Sequence, residues 1–561
     1  MLTERTGAAY VVEALEQYGV KHVFGNPGTT ELPVVQALND SSIEYVLGLH
    51  EDVAVGMASG YARTRRYHSH HDEHVNPLGV ANLHVAPGLA HGLGNVIGAY
   101  FAGSPVLVTA GNYSTDFQHE EPILSGNLEE IVDQYTKWSA EVKNVNALPT
   151  MLRRAVRHAL TPPTGPVFLS LPLDVMLDGL DADVERLGSI PDAGRGDPAA
   201  IEAAATALSD ATEPVFVLGD EIARSGPDAV RAAIELAEAS GARVHGEFLP
   251  GEISFPADHP QWGHYAPGTE RELTELLDTD TIVFAGCSSA TTSIGHEGPL
   301  VPADATIVQL GPDPAELGKN RPADVSVIGD SGHIMTEITE RVSDLVPETE
   351  RKGRLEASRE AIERINEQQR PSDPDPNDSR ASKGELGEAM REAALDTLIV
   401  NEGVTSSRAV RYHVPFQPEG TITTKSGGLG YGLPAAVGAA IAERERPEPR
   451  DVVAFIGDGS YFYYPQSIYS AVRHGVDLTV VVADNRNYRI LKDNTLRVLG
   501  GDESDHEFVA MDFEPPLDIS RNAESYGARS RLVDDPEGIA SAIESARDQE
   551  GPTVLDILVH D

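Results

Sequence analysis

An acid between two glycines, Gly457-Asp458-Gly459-Ser460, follows the apolar run Val452-Val453-Ala454-Phe455-Ile456. Asn485 stands 27 residues after Asp458, where a second apolar run, 478–483, ends in Asp484-Asn485-Arg486-Asn487-Tyr488. An apolar run that stops at glycine reads as a buried strand turning tightly at its carboxyl end, where the backbone can approach a ligand closely. Two such strands joined by one crossover helix bring Asp458 and Asn485 to one sheet edge. A carboxylate, an amide oxygen and a backbone carbonyl are hard donors, the partial shell Mg²⁺ takes when phosphate oxygens supply the rest. Either half alone is also what a helix N-cap or a turn looks like. The joint spacing after two apolar strands points to a metal–phosphate site.

Other stretches carry polar groups in suggestive settings. His50-Glu51 stands where the apolar run 43–49 gives way to a helical stretch rich in small residues, Ala54, Gly56, Ala58 and Gly60-Tyr61-Ala62-Arg63. A Glu there at the least complements a helix dipole. Ser426-Gly427-Gly428-Leu429-Gly430-Tyr431-Gly432 is a glycine loop before an Ala-rich helix, and Asn401-Glu402-Gly403-Val404-Thr405-Ser406-Ser407 follows a strand.

Together these motifs resemble the thiamine diphosphate-dependent enzymes of the acetolactate synthase and benzoylformate decarboxylase group, whose cofactor motif is Gly-Asp-Gly followed at this distance by Asn. The resemblance implies that Asp458, Asn485 and the carbonyl of Asn487 hold Mg²⁺ bridging the diphosphate. Gly459 and Ser460 would offer N–H groups to the phosphates, with Thr405 and Tyr488 in the same cofactor-binding set. Leu429 would wedge beneath the bent cofactor, and the Gly427 carbonyl would accept a hydrogen bond from its aminopyrimidine. Glu51 would bond the pyrimidine ring and favour the imino tautomer that removes the thiazolium proton. In Asn82-Leu83-His84 the histidine matches one that faces substrate in benzoylformate decarboxylases, and Thr29 takes the place of a serine that binds the substrate carboxylate. His296 is the nearest candidate for a second substrate histidine, with a poor local match. His68, His70, His71 and His74 fall in a stretch that looks inserted relative to the family; their spacing fits no metal motif, and a solvated polar loop is expected. The tandem His-His of pyruvate decarboxylases is not found around residues 112–120.

The elements that must position these groups alternate apolar runs with helical periodicity, the pattern of parallel α/β sheets. Helices are expected over 7–18, 51–62 and 88–102, and strands over 21–25, 43–49, 79–84 and 105–110. Later strands are expected at 215–219, 281–286, 306–310, 397–401, 451–457, 478–484 and 553–559. The fold class is α/β, with three consecutive doubly wound parallel-sheet domains. The resemblance implies that these are a pyrimidine-binding domain at 1–188, a middle domain at 189–345 and a diphosphate-binding domain at 383–561. The polar stretch 346–382 reads as a linker. Nothing in the middle domain decides for or against FAD, and Gly286-Cys287-Ser288 is no dinucleotide fingerprint.

The chain has 561 residues and a formal net charge of −45, with only 8 lysines among its 43 basic residues. That excludes a bulk electrostatic grip on nucleic acid or an anionic membrane. Acidity spread along the chain with so few lysines matches proteins from salt-in halophiles. No apolar stretch reaches the length of a membrane span, the start lacks a secretion pattern, and a single cysteine, Cys287, fits a reducing cytoplasm. The expected activity is decarboxylation of a small 2-keto acid to an aldehyde, with the cofactor taking the electrons released as CO₂ leaves. The alternatives are an acetolactate synthase-like carboligase and a non-catalytic nucleotide-binding or assembly protein. Family relatives build each site between two chains, implying a homodimer or homotetramer.

Overall fold

The computed structural model describes residues 5–287, 295–371 and 374–561. Residues 1–4, Ser288 and two residues of the expected linker lie outside them. The chain divides into two compact units: residues 1–190 with 372–414 and 424–561, and residues 191–371 with 415–423.

In the first unit, the amino-terminal part forms a parallel sheet of β1 (His22–Gly25), β2 (Glu44–Leu47), β3 (Gly79–Leu83), β4 (Val106–Asn112), β5 (Ser139–Glu141) and β6 (Val167–Pro172). Its order is β2-β1-β3-β4-β6-β5. Strands β3, β4 and β6 are buried along their whole length, which explains their unbroken apolar runs: a parallel sheet is covered on both faces. Helix α1 (Glu51–Ser69) follows β2, and α2 (Val85–His91) follows β3. The single helix expected over 88–102 is two, parted at Gly92.

The second unit carries β7 (Val215–Leu218), β8 (Arg243–Gly246), β9 (Trp262–Tyr265), β10 (Thr281–Ala285), β11 (Thr306–Gly311) and β12 (Val325–Ile328), in the parallel order β12-β11-β10-β7-β8-β9. Much of the stretch read as a linker is here a 22-residue helix, Glu348–Gln369. Its charged sequence hides a narrow buried face of Arg354, Ser358, Ala361 and Ile362. Arg354 lies in that face because its Nη1 donates to the carbonyls of Leu208 and Ser240.

The carboxyl-terminal part of the first unit forms a third parallel sheet from β13 (Leu398–Glu402), β14 (Val452–Gly457), β15 (Leu478–Asp484), β16 (Arg529–Val533) and β17 (Pro552–Leu558), ordered β13-β14-β15-β17-β16. Helix α3 (Gly432–Glu443) is buried throughout and packs along α1. The small residues of both helices make this possible. A Cβ on Gly60 would collide with the Ala435 carbonyl, and one on Gly438 with that of Met57. The seam between them is also ionic. His68, expected in a solvated loop, is buried near the end of α1 with Nε2 3.1 Å from Glu443 Oε1. Burial works against the Glu443 carboxylate, but His68 and Arg450 outweigh it and hold it down at about 2. His70 is half-buried, and His71 and His74 are exposed.

Candidate active site

In the third sheet, β14 and β15 pair with Gly457 opposite Ala483, so Asp458 and Asp484 leave the sheet side by side. Asp458 Oδ1 accepts the Gly459 N–H at 2.7 Å, and Oδ2 accepts the Arg486 N–H at 2.7 Å. The Arg486 N–H is shared with Asp484 Oδ1 at 3.0 Å. Arg486 takes a left-handed conformation, φ 61°, the kind of strain that collects at ligand sites. Asp458, Asp484 and Asp556 are all buried. Burial, with the neighbouring Asp484, lifts both the Asp458 and the Asp556 carboxyl well above the usual carboxylate range. Buried like charges of this kind call for a cation. Asn485 and Asn487 complete the set. Their amide nitrogens donate to Asp561 at 2.7 and 3.0 Å, and Asn487 also donates to the Asn485 carbonyl at 2.8 Å. Asn487 Oδ1 is buried with no hydrogen-bond partner.

The remaining residues of this half surround the same edge. Ser460 is buried, its hydroxyl directed at the Glu402 carbonyl. The Tyr488 ring packs over Gly459 and meets Phe513 edge-on at 4.8 Å. Thr405 lies half-buried in the turn after β13. In the glycine loop, Gly427 is exposed with φ 74° and Leu429 is half-buried. That loop is pinned by Glu402, at the end of β13, which accepts the N–H groups of Gly430 (2.6 Å) and Gly432. Complete burial pushes the Glu402 carboxyl up to about 7 despite these bonds.

The amino-terminal sheet supplies a second cluster. His50 caps α1, its Nδ1 accepting the Asp52 N–H at 3.1 Å. Glu51 is buried, with Oε1 3.3 Å from the Asn26 amide nitrogen and Oε2 3.4 Å from His91 Nδ1. His84 leaves β3 with Nδ1 2.8 Å from Glu31 Oε2. Glu31 is wholly buried and accepts three further donors: Gly28 N–H (2.9 Å), Gly111 N–H (2.8 Å) and the Thr30 hydroxyl (2.7 Å). A carboxylate so held places the ring proton on Nδ1 and leaves His84 Nε2 as an acceptor. Gly88 stands between the two groups: a Cβ there would lie 3.1 Å from both Glu51 Oε1 and His84 Cβ. Thr29 is exposed; it is the next hydroxyl, Thr30, that lies within 3.3 Å of His84. His296 is exposed in the second unit and bonds the Gly298 carbonyl.

Sequence reasoning missed Glu31, Glu402, Asp484 and Asp556. The first two adjoin motifs that were read, Gly28-Thr29-Thr30 and Asn401 to Ser407. Glu402 and Asp484 carry a signal, an acid at the end of an apolar run; Glu31, after two threonines, and Asp556, inside a strand, carry none.

Three family models of the thiamine pyrophosphate enzymes match in order: the N-terminal TPP binding domain at residues 5–136, the central domain at 201–338 and the C-terminal TPP binding domain at 403–557. The chain belongs to the thiamine pyrophosphate enzymes. Over 551 residues it is 28% identical to a benzoylformate decarboxylase of Pseudomonas aeruginosa, covering 97% of each chain. It is 26% identical to a probable acetolactate synthase large subunit of Methanocaldococcus jannaschii, covering 99% of this chain and 92% of that one. Among solved structures, the thiamine diphosphate-dependent 4-hydroxybenzoylformate decarboxylase of Rhodococcus jostii RHA1 superposes with a TM-score of 0.84 at 26% identity, covering 99% of both chains. In a thiamine pyrophosphate enzyme of this build, the donor set at Asp458, Asn485 and Asn487 suits a magnesium diphosphate. The fit is chemical: oxygen donors, three buried carboxylates only partly offset by the Arg486 guanidinium 3.9 Å from Asp484, and an orphaned amide oxygen on Asn487.

Proposed function

We propose that this thiamine diphosphate-dependent enzyme decarboxylates a small 2-keto acid and releases the aldehyde. Asp458, Asn485 and the Asn487 carbonyl are assigned to Mg²⁺. Gly459, Ser460, Thr405 and Tyr488 are assigned to the diphosphate, Gly427 and Leu429 to the aminopyrimidine and its bend, and Glu51 to the pyrimidine ring. Bound thiamine diphosphate supplies the electron sink for the carbon–carbon cleavage. Glu51 holds and passes a proton at the pyrimidine nitrogen, its own position fixed by Asn26. His84 holds a proton at Nε2 when charged and delivers it to the carbon that loses CO₂, so that one proton enters as one CO₂ departs. The hydroxyl of Thr29 is assigned to the substrate carboxylate.

The observation that carries the decarboxylase reading is the Glu31–His84 pair flanking Gly88 opposite Glu51, a proton donor fixed next to the activating carboxylate. Assembly into a homodimer or homotetramer is supported by the amphipathic helix Arg489–Leu499, which buries none of its residues and exposes Leu491, Val498 and Leu499. No helix among the described residues is long and apolar enough to cross a membrane.

The test is a screen of 2-keto acids with thiamine diphosphate and Mg²⁺ in concentrated salt, scoring CO₂, aldehyde and acetolactate separately. Stoichiometric aldehyde and CO₂ are expected from at least one acid. Acetolactate from pyruvate with no free aldehyde from any acid would replace this reading with a carboligase. Unchanged turnover in Glu51→Gln would remove Glu51 from the chemistry.

A further inference from the structure

Glu51 has neighbours that its assigned role does not use. His50, Glu51 and His91 each offer one ligand atom, and these atoms lie within 4.8 Å of one another. His50 and Glu51 head α1, while His91 ends α2, so two separate helices bring the groups together. The His50 and His91 rings stack at 5.4 Å between centroids. His91 is largely exposed, leaving the cluster open on one side. Two imidazoles and a carboxylate are the ligands chosen by borderline divalent ions such as Zn²⁺, and a set of three keeps coordination positions free for water. Mg²⁺ prefers an all-oxygen octahedron and is poorly served here. Burial lowers the His50 pKa from its ordinary value, favouring the neutral ring that binds metal.

We propose that His50, Glu51 and His91 form a site for a divalent transition ion, with Zn²⁺ as the type ligand, built from different residues than the Mg²⁺ set around Asp458. Ligation through His50 Nε2 places the ring proton on Nδ1 and gives up the bond from the Asp52 N–H. The ion therefore unpins the first turn of α1 as it binds. Because Glu51 is one of its ligands, Zn²⁺ and thiamine diphosphate exclude each other, and Zn²⁺ is an inhibitor relieved by chelation. That consequence rests on the role of Glu51 given above; the metal site itself does not.

The test is calorimetric titration of Zn²⁺ into the full-length chain in excess Mg²⁺, for the wild type, His91→Asn and His50→Gln. Gln keeps an acceptor for the cap, and both variants are checked for an unchanged thermal midpoint. Each variant is expected to lose one Zn²⁺ per chain, or to bind it at least about 10-fold more weakly, the usual effect of disturbing a metal's ligand shell. Equal stoichiometry and affinity in all three chains overturns the site. If the variants lose Zn²⁺ but saturating thiamine diphosphate leaves wild-type Zn²⁺ uptake unchanged, the metal site stands and the cofactor role of Glu51 falls.

Discussion

Replacing Glu31 by Gln keeps shape and removes charge from the group that orients His84. The wild-type carboxylate serves two pairs of donors, Gly111 N–H with the Thr30 hydroxyl on Oε1, and Gly28 N–H with His84 Nδ1 on Oε2. A carboxamide has one acceptor oxygen, so either orientation turns its NH₂ toward one pair. One backbone N–H then loses its partner, and His84 loses a charged acceptor or is driven to the tautomer with its proton on Nε2. A hydrogen bond to a charged group is worth about 1.5–3 kcal/mol. At about 1.4 kcal/mol per tenfold, Glu31→Gln should lower kcat/KM by roughly 10- to 100-fold. His84→Ala, which removes the proton donor, should cost about 10²- to 10⁴-fold. The assay is steady-state kinetics on the best 2-keto acid from the screen, with thiamine diphosphate affinity measured alongside. If Glu31 acts through His84, the double variant should be no slower than His84→Ala, because residues working as one unit are not additive. Losses that multiply, or a Glu31→Gln enzyme within about 3-fold of wild type, would refute the pairing.

Glu402 predicts a pH effect. Its folded value is raised to about 7, so its contribution to stability is present below the ordinary range near 4.5 and is lost as pH rises through about 7. The loss is of order 3 kcal/mol, and thermal midpoints at acid and alkaline pH should show that slope flattened in Glu402→Gln. His68→Leu should lower the midpoint through loss of about 1–3 kcal/mol, since it strips a buried partner from Glu443. Gly430→Ala should weaken thiamine diphosphate binding by at least about 10-fold while the chain stays folded, because a left-handed φ of 96° and a Cβ against Tyr463 and Tyr464 displace the loop that carries Leu429. The second unit should take up no flavin, read as no yellow chromophore after incubation with FAD. The N–H groups leaving β7 are already used: Asp220 by Glu247 and Glu221 by the Gly286 carbonyl.

The strands were legible because a central strand of a parallel sheet is apolar along its whole length: β14 and β15 stand within one residue of where their runs place them. The end of α1 was not. Arg63, Arg65, Arg66 and His68 are polar and buried together, and the nearer partners are carbonyls, Asn76 for Arg65 and Gly103 for Arg66, which the sequence does not mark. The carboxylates that pair two of them, Glu443 with His68 and Glu445 with Arg65, lie 375 and 380 residues away on and just after α3. A stretch rich in arginine and histidine reads as solvated until the helix that neutralises it is placed beside it.

The same distance effect divided the candidate site. Glycines, an Asp and an Asn at set spacings are visible because they are local, and they mark where the backbone bends. The groups that hold those bends are carboxylates from elsewhere. Glu31 reaches 53 residues to His84 and 80 to Gly111, and Glu402 reaches 28 to Gly430. Each accepts at least two donors, and each is buried. The glycine-bearing loops at Gly28, Gly111 and Gly430 are thus tied down by two buried acids. An acid in such a place is costly unless its donors are present, so each loop is held only in the folded chain. Cofactor affinity should therefore depend on Glu31 and Glu402 as much as on the residues assigned to touch the cofactor.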